Sequence, residues 1–112
     1  MTDGRGERVG FLLQLKPDRV SDYLAAHDHV WPAMLDALRT AGWHNYSLFV
    51  REDDGLVVGY LETDDFVAAQ QRMNSTEVNA RWQALMAQYF VAADGAAPDR
   101  PIDPLRHYFH LE

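Results

Sequence analysis

The sequence contains no cysteine, which removes several kinds of chemistry at once. Disulfide bonds, thiol nucleophiles and zinc or iron–sulfur centres held by cysteine are all excluded. A chain without thiols suits a reducing compartment, and the polar start over residues 1–6 does not resemble a signal peptide. We therefore expect a cytoplasmic protein.

Positive charge and long apolar runs are also scarce. The chain has 10 lysines and arginines against 17 aspartates and glutamates, which gives a formal net charge of -7. This acidic balance repels phosphate backbones and anionic headgroups. No apolar run approaches the length of a membrane-spanning helix. We expect neither nucleic acid nor a membrane as a partner.

The remaining composition is typical of one globular domain. A chain of 112 residues with 47% hydrophobic residues can bury a single core. We predict one domain over residues 1–112, with a flexible N-terminus over 1–7. Three prolines between residues 92 and 104 cannot lie inside a helix, so this stretch is predicted to be an extended, proline-rich connector.

Apolar periodicity predicts an α+β protein, because stretches with a period of two alternate with stretches of helical spacing. The hairpin is marked by the turn residues Asp53-Asp54-Gly55, and Gly42 is placed to end a helix. The predicted elements are a strand over 8–16, helical segments over 17–30 and 32–41, hairpin strands over 44–51 and 56–62, helical segments over 65–73 and 78–89, and a last strand over 105–111.

This order predicts a ferredoxin-like βαββαβ fold, in which an antiparallel sheet carries helices on one face. The other face of such a sheet needs a cover. Many small domains of this plan pair two sheets to form a dimeric α/β barrel, and by that analogy we expect a homodimer.

Tyr23 and His27 lie one helical turn apart, so their side chains can meet on one helix face. Imidazole gains and loses a proton near neutral pH, which suits acid/base catalysis. Tyrosine and histidine at this spacing also occur in ordinary packing, and spacing alone leaves both interpretations open. The acidic pairs at 53–54 and 64–65 occupy turn and cap positions, which argues against a two-carboxylate glycosidase.

The histidines do not have the spacing of a metal site. His27 and His29 are two apart and point in different directions on a helix, and no third ligand follows at a known metal-binding spacing. We expect no metal. The abundant aromatic residues suit either a sugar-binding wall or a core.

Three segments resemble the L-rhamnose mutarotase family. Residues 23–32 match a Tyr-x3-His-x3-Trp-Pro pattern, residues 42–46 match Gly-x-His-Asn-Tyr, and residues 75–82 are similar to a third family segment. The resemblance extends from about Val9 to Leu111. It implies a dimeric α/β barrel that interconverts the α and β anomers of L-rhamnose without a cofactor.

The resemblance also implies the site residues. It places the proton-donating histidine at His27 and the sugar-contacting tyrosines at Tyr23 and Tyr46, with Trp82 and Gln83 as pocket wall. Where the family often has Trp-Trp, this chain has Trp82-Gln83. The sugar therefore stays open among L-rhamnose, L-fucose and other 6-deoxy sugars. A cofactor-free monooxygenase of the same barrel type and a non-catalytic sugar-binding module are the alternatives.

Overall fold

A computed structural model of the protein describes residues 6–91 and 102–112. Most of the predicted connector over 92–104 and most of the predicted flexible N-terminus lie outside these ranges. The described elements are strands β1 (Glu7–Gln14), β2 (His44–Arg51) and β3 (Leu56–Thr63), and helices α1 (Val20–His27), α2 (Pro32–Ala41), α3 (Phe66–Asn74) and α4 (Glu77–Met86).

The three strands form an antiparallel sheet in the order β1-β3-β2. On the inner face of β3, Val57, Leu61 and Thr63 are fully buried, whereas Val58 on the outer face is 38% exposed. The helices complete the core on the inner face with a set of buried residues. That set consists of Val20, Tyr23, Met34, Ala41, Phe66, Ala69, Met73, Trp82 and Met86.

The helix boundaries follow the predicted local signals. Pro32 opens α2, and Gly42 ends it with a left-handed φ of 97°, where a Cβ atom would be strained. The side chain of Asp65 accepts a hydrogen bond from Ala68 N and caps α3. The predicted hairpin, the break between α3 and α4 and the α+β class are all confirmed.

The predicted fourth strand over 105–111 is wrong for the described chain. This segment has no regular secondary structure, and its one backbone hydrogen bond to a described strand runs from Leu105 N to Gly10 O in β1, at 2.7 Å. Tyr108, Phe109 and Leu111 are 87%, 72% and 80% exposed. Alternation predicts a strand with one buried face, but this segment finds no surface within the described chain that buries it. The observed order is therefore β1-α1-α2-β2-β3-α3-α4.

None of the helices in the described ranges is long and apolar enough to cross a membrane.

Gly59 allows an aromatic ring to lie across the central strand. It pairs with Phe11 in β1 and with Leu48 in β2, and Phe11 is fully buried. A Cβ atom at position 59 would overlap the ring carbons of Phe11. The ring also lies 6.3 Å from that of Tyr46, measured between centroids. The missing side chain at Gly59 therefore sets where Phe11 and its aromatic neighbour lie.

Gly59→Ala should lower the free energy of unfolding by about 1–3 kcal/mol, because the added methyl group overpacks the core against Phe11. Urea unfolding followed by far-UV circular dichroism measures this change. Gly10→Ala is the matched control, since a Cβ atom there would meet nothing closer than 3.8 Å. Equal stability of the two variants would contradict the proposed overpacking of residue 59 against Phe11.

Candidate active site

A cavity of about 630 Å³ lies where the inner face of the sheet meets the helices. This volume is within the range of about 300–1,000 Å³ that is typical of small-molecule sites. Much of the lining is apolar. The lining side chains with nitrogen or oxygen atoms are Gln14, Tyr23, His27, Trp43, Tyr46, Gln70, Asn74, Asn79, Trp82, Gln83 and Asp103.

Tyr23 and His27 meet on one face of α1, as their spacing predicts. Their ring centroids are 4.3 Å apart, with the planes inclined by 41°. His27 Nδ1 lies 3.1 Å from the backbone oxygen of Tyr23. A carbonyl oxygen only accepts, so this contact requires the proton on Nδ1. Nε2, which makes no hydrogen bond to the described residues, is then the nitrogen that can exchange a proton with a ligand.

Trp82 forms an aromatic wall beside the histidine. Its ring meets that of His27 edge to face, with centroids 5.5 Å apart, and that of Trp31 in the same way at 5.0 Å. Trp82 is 6% exposed. The residue therefore holds α4 against the end of α1 and the beginning of α2. It also limits the positions open to the imidazole ring.

A β-bulge in β2 lies directly before Tyr46, whose side chain lines the cavity. His44 pairs with Glu62 and Ser47 pairs with Tyr60, so one extra residue lies between them on β2. The bulge contains Asn45, which has a left-handed φ of 46°. The ring of Tyr46, on the inner face, packs 5.1 Å from that of Trp43.

The two cavity tyrosines are neutral hydrogen-bonding groups at ordinary pH. Burial raises the pKa of Tyr23 to about 12. Burial also raises the pKa of Tyr46, and the neighbouring Tyr23 raises it further. Neither phenol makes a hydrogen bond to a described residue. No buried side-chain oxygen in those ranges lacks a partner, so both hydroxyl groups are reachable from the cavity or solvent.

The raised tyrosine pKa values predict a loss of stability in alkali. The folded state holds the Tyr23 proton up to about pH 12, whereas the unfolded chain releases it near pH 10. The unfolded state then binds fewer protons, so stability falls as pH rises between these values. Across this range Tyr23 should lower the free energy of unfolding by roughly 3 kcal/mol, at about 1.4 kcal/mol for each pKa unit.

Urea unfolding between pH 8 and 12 measures this effect. Tyr23→Phe should flatten the decline above pH 10, because it removes the proton that the folded state retains. Tyr108→Phe, in the exposed C-terminal segment, is the matched control and should follow the parent curve. An undiminished decline in Tyr23→Phe would count against the predicted burial effect.

All five predicted site residues line this one cavity. The structure adds five non-aromatic polar lining residues that the sequence reasoning missed: Gln14, Gln70, Asn74, Asn79 and Asp103. A pattern did exist for Gln70, Asn74 and Asn79. Amide residues recur four apart in two consecutive helices, as Gln70 and Asn74 in α3 and as Asn79 and Gln83 in α4. In the described ranges, no group of three histidine or acidic side chains is placed to hold a metal ion.

The fold and the histidine-bearing cavity define a small α+β protein with a site suited to acid/base chemistry on a small molecule. The chain belongs to the L-rhamnose mutarotase family, whose model matches residues 8–111. This confirms the family predicted from the three sequence segments.

Individual relatives agree with this family. An L-rhamnose mutarotase from Bacillus subtilis is 36% identical over 106 residues, which cover 95% of this chain and 99% of the relative. One from Oceanobacillus iheyensis is 29% identical over 107 residues, with the same coverage. A crystal structure described as L-rhamnose mutarotase from Formosa agariphila matches with a TM-score of 0.77 at 23% identity, and covers 96% of this chain and 100% of that one. At that identity the structure supports the fold alone.

Proposed function

We propose that the protein interconverts the α and β anomers of L-rhamnose or a related 6-deoxy sugar, in the cytoplasm and without a cofactor. The observation that supports this most directly is the state of His27. Its Nδ1 is engaged by the carbonyl oxygen of Tyr23, and its Nε2 is free beside a cavity large enough for a sugar. An imidazole held in this way is suited to proton transfer.

Anomer exchange needs two proton transfers. The acid delivers a proton to the ring oxygen while the anomeric hydroxyl group loses one, and the bond from C1 to the ring oxygen breaks. Rotation about the C1–C2 bond then presents the other face of the aldehyde, and ring closure reverses the proton movements. We assign the acid to protonated His27 through Nε2, which acts as base when the ring closes.

The remaining side chains bind and orient the sugar. Phenols whose pKa is raised do not accept protons as bases, so Tyr23 and Tyr46 act as hydrogen-bonding partners of the sugar hydroxyl groups. Asp103 is the carboxylate in the described lining, and we assign to it the proton of the anomeric hydroxyl group. Trp82 and Gln83 form the pocket wall.

A second copy of the chain is the partner that we propose for the outer face of the sheet. Leu12 and Phe49 both pair with Val58, so the three form one apolar row across the strands, and they are 49%, 63% and 38% exposed. The C-terminal segment adds the exposed Phe109 and Leu111. A homodimer would bury both surfaces.

The dimer is tested by analytical ultracentrifugation. Sedimentation at micromolar concentration should give a molecular mass of about twice 12.8 kDa, and a stable monomer would exclude the dimer.

The activity is tested by NMR saturation transfer between the α and β anomeric protons of L-rhamnose and L-fucose. The protein should accelerate the exchange well above the rate in buffer. Binding without acceleration would instead indicate a non-catalytic sugar-binding module. Oxygen consumption with a quinol-like substrate, in the absence of anomer exchange, would indicate a monooxygenase.

A further inference from the structure

Asn79 is a buried polar residue that the reaction proposed above does not use. It is 8% exposed and lines the cavity. Burying a carboxamide costs free energy unless its donors and its acceptor find hydrogen-bonding partners. The partners of the individual atoms therefore indicate what the residue does.

The side-chain oxygen of Asn79 has a partner, whereas its side-chain nitrogen is open to a ligand. Oδ1 accepts a hydrogen bond from Gln83 Nε2 at 3.2 Å. Nδ2 makes no hydrogen bond to the described residues, and among these residues no side-chain nitrogen or oxygen that is sealed from solvent lacks a partner. Nδ2 is therefore reachable from outside the protein core. Because the rest of the residue is buried and lines the cavity, we take the cavity as the place from which a partner reaches Nδ2.

The hydrogen bond from Gln83 also orients the Gln83 side chain. Asn79 lies in the first turn of α4, where its backbone N–H donates to the capping hydroxyl oxygen of Thr76 at 3.3 Å. Because Gln83 Nε2 is held by Asn79 Oδ1, Gln83 Oε1 stays available as an acceptor. We call Asn79 and Gln83 the amide pair. It offers the cavity a donor, Asn79 Nδ2, and an acceptor, Gln83 Oε1.

The amide pair lies beside the proposed acid/base group. Trp82 and Gln83 follow Asn79 by three and four residues, and all three line the cavity, so they share one face of α4. The ring of Trp82 meets that of His27 with centroids 5.5 Å apart. A sugar that reacts at His27 therefore has the amide pair on the adjoining part of the cavity lining.

We propose that Asn79 is a substrate-binding residue: its Nδ2 donates to a hydroxyl group of the sugar, and its Oδ1 positions Gln83 Oε1 to accept from a hydroxyl group. The groups bound are among those at C2, C3 and C4, which the reaction leaves unchanged. This inference rests on the proposed mutarotase function and deepens it, because it assigns the residues that hold L-rhamnose while the C1 end rotates.

The chemistry of the sugar matches that of the amide pair. Each hydroxyl group of L-rhamnose both donates and accepts, so it can replace the water that the amide atoms lose when the sugar binds, whereas the methyl group cannot. Contacts with the unchanged hydroxyl groups are the same before and after anomer exchange. Such contacts strengthen binding of the sugar and its transition state alike, so they lower KM and leave kcat nearly constant.

The first test measures KM and kcat for L-rhamnose by NMR saturation transfer at increasing sugar concentrations. Gln83→Met keeps the length of the side chain without its amide, and should raise KM by about three- to tenfold, the effect of one lost hydrogen bond, with kcat close to that of the parent protein. Asn79→Leu should raise KM at least as much, because it removes both the donor and the group that positions Gln83. An unchanged KM in either folded variant overturns the proposal.

Deoxy sugars separate substrate binding from a structural role. The 2-, 3- and 4-deoxy derivatives of L-rhamnose each lack one hydroxyl group and keep the reacting end intact. For the derivative that lacks the hydroxyl group bound by Gln83, Gln83→Met should change kcat/KM by less than about twofold, while L-rhamnose shows the full loss. An equal loss with all four sugars would indicate a structural role for the amide pair and would also overturn the proposal.

Gln71→Met is the matched control, because Gln71 is exposed on α3 and does not line the cavity. It makes the same chemical change as Gln83→Met and should leave the KM for L-rhamnose at the parent value. Far-UV circular dichroism shows whether each variant is folded. If Asn79→Leu does not fold, the dependence of Gln83→Met on the deoxy sugars decides the outcome.

The results also distinguish this proposal from the one on which it rests. If the parent protein does not accelerate the exchange of L-rhamnose, the amide pair fails together with the proposed activity on that sugar. If the parent protein accelerates the exchange and the amide-pair variants leave its KM unchanged, the activity stands and the amide pair alone is excluded.

Discussion

Replacing His27 with asparagine should slow anomer exchange by about 10²–10⁴-fold, the usual contribution of a positioned acid/base group. Asparagine can still donate a hydrogen bond, but its side chain cannot carry the proton that the imidazole exchanges. Saturation transfer between the anomeric protons measures the rate directly, and far-UV circular dichroism shows whether the variant is folded. The loss should fall on kcat more than on KM, because the proton moves only in the reaction itself.

His29→Asn is the matched control for this prediction. It makes the same chemical change two residues further along, at an exposed position that does not line the main cavity. Exchange should continue at close to the parent rate. A folded His27→Asn protein with undiminished exchange would remove His27 from the proposed mechanism.

Replacing Trp82 with alanine should lower the free energy of unfolding by about 3–5 kcal/mol, the usual cost of truncating a buried aromatic residue. Most domains are stable by only about 5–15 kcal/mol, so the variant should be close to its unfolding threshold. The loss has a structural cause: Trp82 packs edge to face against both His27 and Trp31. Urea unfolding followed by circular dichroism gives the change.

Arg81→Ala provides the comparison on the same helix. Arg81 is 69% exposed and pairs with Glu77 one turn earlier, an interaction worth about 0.3–0.5 kcal/mol. Trp82→Phe keeps a ring in the wall and should lose less stability than Trp82→Ala. If Trp82→Ala were as stable as Arg81→Ala, the proposed packing between α4 and the other two helices would be incorrect.

Much of the fold was predictable because its signals are local. Gly42 ends a helix through its own backbone freedom, and Asp65 caps the next helix within one turn. The contact between Tyr23 and His27 is also local, since four residues on a helix bring two side chains together. For these features, the residues that carry the signal are the residues that make the interaction.

The features that were missed depend on distant parts of the chain. The alternation over 105–111 favours a strand, but pairing requires a free edge and a surface to cover, neither of which alternation specifies. The amide side chains of Gln70, Asn74 and Asn79 line one cavity only because α3 and α4 pack with these faces toward it. Asp103 reaches the same lining from the far end of the chain. These contacts depend on how distant elements pack together, so no local sequence pattern predicts them.

The extra residue at Asn45 has a consequence for the whole of β2. A strand assigns its residues alternately to two faces, and one inserted residue reverses that assignment for everything before it. Deleting Asn45 would restore an uninterrupted alternation, in which His44 still pairs with Glu62 and Tyr46 pairs with Leu61, each on its present face. The deletion would instead remove the local bend and added twist of the bulge, and with them the angle at which the Tyr46 ring enters the cavity. The geometry of the site thus depends on a count of residues as much as on their chemistry.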